Sequence, residues 1–152
     1  MNWLDMEQRC SSRVIVLDPQ GRVLMFRHAG TGGLSFWATP GGGLEDGETF
    51  EQAAAREAWE ELGVTGATLR FLWESTVEFV HIGRPVRQRE RFFLLEGTLH
   101  DLLRGVQTVH RREGILETRW WTDIELGTTK ERVFPEELAT HLRRIRQEEF
   151  HA

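Results

Sequence analysis

The sequence predicts one α/β domain, a mixed sheet covered by helices, on three observations. Short β-branched and apolar runs recur at residues 12–17, 22–26, 68–73, 76–82, 89–95 and 118–122, bounded by turn-forming residues. Two stretches carry helical spacing instead, residues 49–62 and a closing segment that Pro135 opens. At 152 residues the chain has the length of one domain, enough to bury roughly two thirds of its unfolded surface.

Each element has its own signal. Residues 12–17 and 22–26 are joined by Asp18-Pro19-Gln20-Gly21 and read as an antiparallel hairpin. Residues 29–47 hold seven glycines, Gly30, Gly32, Gly33, Gly41, Gly42, Gly43 and Gly47, with Pro40 among them, so the backbone there packs tightly or approaches a ligand. The first helix starts near Thr49, which with Gln52 makes a capping-box pattern. It runs through Ala53, Ala54, Ala55 and Ala58 to Leu62, where Gly63 is placed to end it. Gly83-Arg84-Pro85 reads as the turn between the strands at 76–82 and 89–95. Pro135, in the first turn, opens a helix whose Leu138, Leu142 and Ile145 cover a sheet face. Residues 99–113 and 127–132 are less regular, and no repeat, low-complexity tract or linker divides the chain.

Composition excludes several classes of partner. A formal charge of -5 lacks the basic bias of duplex nucleic-acid binding, so an anionic ligand needs locally placed cations. Of the 19 basic residues only Lys130 is a lysine, which suits bidentate recognition of phosphate but also follows from a biased genome composition. The single Cys10 forms no internal disulfide and lacks the partners of a zinc site. Residues 1–10 carry Asp5, Glu7 and Arg9 in place of an apolar run. The expectation is a cytoplasmic protein without a membrane segment.

Glu57, Glu60 and Glu61 stand at i, i+3 and i+4 and stack three carboxylates on one face of the first helix. By itself this spacing also describes an ordinary solvated acidic face. The neighbourhood adds chemistry: a hard cation such as Mg²⁺ takes oxygen ligands at about 2.0 to 2.1 Å, and a glycine-rich approach lets phosphates near. Metal neutralisation lets clustered acids handle an anionic diphosphate.

Gly42, Glu48, Arg56, Glu57, Glu60, Glu61, Gly63 and Val64 resemble the Nudix box of the MutT-like hydrolases, G-x5-E-x7-R-E-U-x-E-E-x-G-U with U a bulky aliphatic. Eight of nine specified positions match over 23 contiguous residues, with Ala58 at the first U the one departure. Trp37-Ala38-Thr39-Pro40-Gly41-Gly42 resembles the family's approach to the box, and Glu117-Thr118-Arg119-Trp120 a downstream element. The resemblance implies a Nudix-type α/β/α sandwich, a mixed sheet with the box helix on one face and a C-terminal helix. It further implies Mg²⁺ or Mn²⁺ ligated by Glu57, Glu60 and Glu61, with one of these or a nearby acid deprotonating the attacking water. The Gly41 carbonyl is a further expected metal ligand. Glu117, with Glu113 as competitor, is an expected ligand or base. Glu48 and Arg56 are expected to pair and brace the loop, with Gly42 and Gly63 in structural roles.

For substrate binding the candidates are Arg27, Arg89, Arg91 and Trp120. Arg87, Arg89 and Arg91 share one face of a regular strand, as a phosphate clamp or as a solvated face paired with Glu90 and Glu78. Six Trp and nine Phe against no Tyr allow base stacking through Phe36, Trp37, Trp120 or Trp121; Trp59 is expected against the sheet and Trp73 in an apolar strand. The six His lack ligand spacing. Relatives that hydrolyse ADP-ribose carry a Pro, and those acting on dinucleoside polyphosphates a Tyr, where this chain has Phe79, Val80, His81 and Ile82. The expected function is hydrolysis of a diphosphate linkage in a small nucleoside diphosphate derivative or nucleoside triphosphate. The expected partners include no duplex nucleic acid and no membrane, and the chain is a monomer or homodimer. Alternatives are a non-catalytic nucleotide sensor of the same fold, a diphosphate isomerase, which Cys10 does not suit, and a partner-binding domain, which leaves the stacked acids unexplained.

Overall fold

Alternation of side chains along two strands sorts the core into two layers. In the computed structural model, which describes residues 6–96 and 115–150, these strands are β1 (Glu7–Ile15) and β2 (Val23–Ala29). Leu24 and Phe26 join Val14, Val16, Leu62 and Leu95 on one side. Val23 and Met25 join Ile15, Trp37, Trp73, Phe92 and Trp121 on the other, with Leu138, Leu142 and Ile145. The segment at 99–113, with Glu113, lies outside the described residues.

After β2 come a 3-10 turn (Thr31–Gly33), β3 (Ser35–Ala38), β4 (Gly41–Gly43), α1 (Phe50–Leu62), β5 (Thr68–His81) and β6 (Arg84–Glu96). β7 (Ile115–Trp121), α2 (Asp123–Thr128), β8 (Val133–Phe134) and α3 (Leu138–Phe150) complete the described elements. The strands form two four-stranded sheets, β4-β1-β6-β5 and β7-β2-β3-β8. β1 runs parallel to β6 and β3 parallel to β8, with the other pairs antiparallel. With α1 supplying Leu62 to one core and α3 supplying its apolar stripe to the other, helices cover opposite sides of mixed sheets, the expected α/β/α architecture. Among the described residues no helix is long and apolar enough to cross a membrane.

The structure departs from the local expectations at five points. The hairpin of residues 12–17 and 22–26 is confined to its turn: Asp18 N donates to Arg22 O (3.0 Å), Gly21 N to Asp18 O (2.9 Å), and Leu17 bridges Val23. Beyond that the strands diverge into different sheets, because each finds longer pairing elsewhere. The two strands expected at 68–73 and 76–82 are one strand, β5, with a register shift between Phe71 and Trp73. Its turn to β6 is Ile82-Gly83, both with positive φ (49° and 72°), so Arg84 and Pro85 already belong to β6. Pro135 follows a cis peptide and precedes the closing helix, which begins at Leu138. Finally, α2 was not expected, although Thr122 and Glu125 form a capping box at its start.

α3 is fastened through polar side chains as well as its apolar stripe. Arg146 Nη1 and Arg143 Nε donate to Asp123 (2.9 and 3.2 Å). The His141 ring stacks on Trp73, with centroids 3.9 Å apart. Burial, helped by the Arg144 guanidinium that contacts it and opposed by Glu137, holds the His141 pKa below its ordinary value. Burial and the Arg13 charge do the same to His28, which stacks on Phe36. A depressed folded-state pKa contributes stability that is present above the unfolded value, about 6.5, and lost as pH falls through the folded value. The melting temperature is therefore expected to fall between pH 7.5 and pH 5.5. His141→Phe should flatten that slope, as thermal melts across the window will show.

Candidate active site

The box helix is set by its ends. Thr49 Oγ1 accepts from Gln52 N (3.1 Å) while Gln52 Oε1 accepts from Thr49 N (2.9 Å), satisfying two of the free donors at the helix start. Gly63 closes the helix in the left-handed region (φ 71°). Small buried residues, Ala53, Ala54 and Ala58, let α1 lie close to β1, where Ser12 Oγ donates to Phe50 O (2.7 Å). Ala58 at the U position is fully buried against the sheet. Trp59 is corrected: it stands 55% exposed on the outer helix face, because Ala58 and Leu62 take the inward positions.

Arg56 organises the site. Its Nε and Nη2 donate to Glu48 (2.9 and 3.0 Å), its Nη1 to Glu57 Oε1 (2.9 Å) and Glu60 Oε2 (3.0 Å), and Nη2 also to the Gly43 carbonyl (2.8 Å). One guanidinium thus ties the loop, the glycine strand and two box acids together, and the expected pair with Glu48 is formed. Glu48 also accepts from Glu45 N (2.9 Å). The hydrogen bond from Arg56 holds the Glu48 pKa below the carboxylate range, and these acids push that of Arg56 up.

Glu57 is the most buried of the three stacked acids. Burial raises its pKa, against the lowering effect of Arg56. Its carboxylate fills the space a side chain at position 42 would need: a Cβ on Gly42 would lie 2.6 Å from Glu57 Oε1. Gly41 cannot carry a side chain either, since a Cβ would collide with the Ser12 carbonyl and meet Arg13 Cα at 2.8 Å. Gly42→Ala is therefore expected to displace Glu57 and lower activity at least about tenfold, with a destabilisation of about 1 to 3 kcal/mol. Paired kinetics and denaturant melts check it.

These residues fit a hard divalent cation in donor chemistry, being carboxylate and carbonyl oxygens beside a glycine cradle. Among the described residues no three acids, histidines or cysteines are arranged to hold a metal, and Arg56 supplies the counter-charge to Glu57 and Glu60. The Gly41 carbonyl accepts from Arg13 Nη1 (3.2 Å).

The remaining candidates form separate groups. Arg27 pairs in register with Glu117 across β2 and β7, with Nη2 3.9 Å from Glu117 Oε1, beside a register shift. The Arg27 guanidinium also lies over the Trp37 ring. Arg89 and Arg91 both donate to Glu74 Oε1 (3.0 and 2.8 Å) and lie over Phe50 at the start of α1. These bonds, Arg91 first, hold the Glu74 pKa down. Arg87 pairs with Glu78 as the solvated-face alternative expected, but Glu90 does not join them. It lies buried and accepts from Ser11 Oγ (3.2 Å) and Gln88 Nε2 (2.6 Å), with Arg13 Nε 3.6 Å away. Trp120 packs against the core on the α1 side. The sequence reading placed Glu90 on the solvated arginine face and did not bring it together with Ser11 and Arg13, a grouping that depends on the pairing of β1 with β6.

Comparisons with known proteins bear on the fold and the family. An RNA pyrophosphohydrolase of Sphingopyxis alaskensis is 28% identical over 133 residues, 80% of this chain and 80% of that protein. Against further curated relatives of that name, such as the Haemophilus ducreyi protein (33% identical over 95 residues), the chain spans about half of their length, 47% in that case. The fold is shared with the E. coli dihydroneopterin triphosphate pyrophosphohydrolase (TM-score 0.60, 22% identity, 97% of this chain and 99% of that one). It is shared also with Shewanella oneidensis NrtR, solved with a 27mer DNA (TM-score 0.66, 13% identity, 91% and 62%). The profile described as NUDIX domain matches residues 8–142, which span the glycine strand, the Arg56 hub and all but Ile145 of the two core layers, and the chain belongs to that family.

Proposed function

We propose that the protein is a hydrolase that cleaves a diphosphate linkage in a nucleotide-derived substrate, with Glu57, Glu60 and Glu61 holding Mg²⁺ or Mn²⁺ and the Gly41 carbonyl assisting. The observation that carries this reading is the buried Glu57 carboxylate packed against a position only glycine can occupy. A carboxylate kept desolvated at the edge of a glycine strand is poorly explained by stability, because burial disfavours its charge. A bound divalent cation supplies charge neutralisation of the phosphate oxygens and a lowered pKa for water. The protein's own part is to hold the acids in position through Arg56 and to take the proton of the attacking water on a box acid or on Glu117. Relatives named for pyrophosphate hydrolysis of two different substrates support the linkage more than any one base.

The test is a panel of nucleoside triphosphates and their oxidised forms, nucleoside diphosphate sugars, ADP-ribose, dinucleoside polyphosphates and 5′-triphosphate RNA, assayed with Mg²⁺ and Mn²⁺. Release of phosphate, pyrophosphate or nucleoside monophosphate that stops with chelator supports the reading; binding without turnover across the panel supports instead a nucleotide sensor. Retention of every box acid weighs against that second reading. We place the protein in the cytoplasm.

A further inference from the structure

Resting on the diphosphate-hydrolase reading, we propose that Arg13 is the phosphate-binding cation of this site, oriented by Glu90, Ser11 and Gln88. An anion approaching Glu48, Glu57, Glu60 and Glu61 needs a positive charge that those acids have not already taken. Arg56 is committed to Glu48, Glu57, Glu60 and the Gly43 carbonyl. Arg89 and Arg91 share Glu74 at the start of the box helix, and Arg27 faces Glu117.

Arg13 differs from these in place and in what it contacts. It stands on β1 in register with Gly41, and its Nη1 donates to the Gly41 carbonyl at 3.2 Å while Nε lies 3.6 Å from Glu90 Oε1. A guanidinium has five donors. The contacts Arg13 makes with described residues use Nη1 and Nε and leave Nη2 to a ligand, on a side chain 24% exposed. Its charge acts on Glu57 of the box helix and on His28 of β2. The planar fork suits two oxygens of one phosphate.

Glu90 accounts for the arginine's position. Parallel pairing of β1 with β6 sets Ser11 opposite Glu90, and strand alternation puts Ser11, Arg13 and Glu90 on one face of the sheet. The buried carboxylate accepts from Ser11 and Gln88 and turns its charge toward Arg13. Glu90 is thus a positioning residue, and Arg13 touches the substrate.

The test is calorimetric titration of the full chain with ADP in chelator, so that no metal contributes. Arg13→Met is expected to weaken ADP binding at least about tenfold, as loss of a charged hydrogen bond does. Arg13→Lys should recover part of it, and Glu90→Gln should weaken binding severalfold with an unchanged melting temperature. Arg87→Met, on the exposed hairpin, should bind as the wild type does. If Arg13→Met does not fold, Arg13→Gln keeps a donor for the Gly41 carbonyl without the charge and is read in the same way. No ADP binding by the metal-free wild type, unchanged affinity in Arg13→Met, or an equal loss in Arg87→Met overturns the proposal. ADP binding that depends on Arg13, in a protein that turns over nothing on the panel, upholds the anion site and removes the hydrolase reading.

Discussion

Glu57→Gln is expected to lower Mg²⁺-dependent hydrolysis by at least about a hundredfold while leaving the melting temperature at or slightly above that of the wild type. The two halves have one cause. Glu57 is held desolvated, which raises its pKa and makes its negative charge unfavourable for folding. The neutral amide keeps the shape against Gly42 and removes the desolvation, and Arg56 retains Glu48 and Glu60. A site acid that lowers stability while serving chemistry is the expected trade. Parallel kinetics and thermal melts check both halves, and a large loss of stability with preserved turnover would reassign Glu57 to a purely structural role.

The largest effect on stability is expected from Arg56→Met. The arginine and its partners Glu48 and Glu57 are all less than one fifth exposed, so removing the cation strands two poorly solvated carboxylates. Breaking such a pair from one side costs about 3 kcal/mol or more. For a domain of this size that corresponds to a fall in melting temperature of roughly 6 to 12 °C. Glu45 and Glu60, more exposed partners, add little. Hydrolysis should fall as well, because the Gly43 carbonyl and Glu60 lose the same anchor. Arg56→Lys should restore only part of the stability, since one ammonium cannot reproduce the contacts a planar guanidinium makes with four groups.

What the sequence made legible was local. The box helix showed at both ends because Thr49, Gln52 and Gly63 act within a turn of their own positions, and the acids followed from helical spacing. The covering stripe of Leu138, Leu142 and Ile145 showed for the same reason. What stayed hidden depends on partners far along the chain. β1 bonds to β6, more than seventy residues away, and this long-range pairing opened the expected hairpin into two sheets. The same pairing brings Glu90 beside Ser11 and Arg13, so a carboxylate expected on the solvated arginine face lies buried on the other. Trp59 misled because side-chain size suggested burial, whereas the alanines beside it occupy the inward positions. The capping box at Thr122 was local and legible, and a short helix there should have been expected.

The claim on which the rest depends is that the box acids bind a divalent cation, and Mn²⁺ electron paramagnetic resonance measures this without turnover. Titration of the wild type should remove free Mn²⁺ signal to a saturating bound fraction, while Glu57→Gln and Glu61→Gln, folded by circular dichroism, should leave most of it free. Equal Mn²⁺ binding by all three proteins, or none by the wild type, would contradict the account.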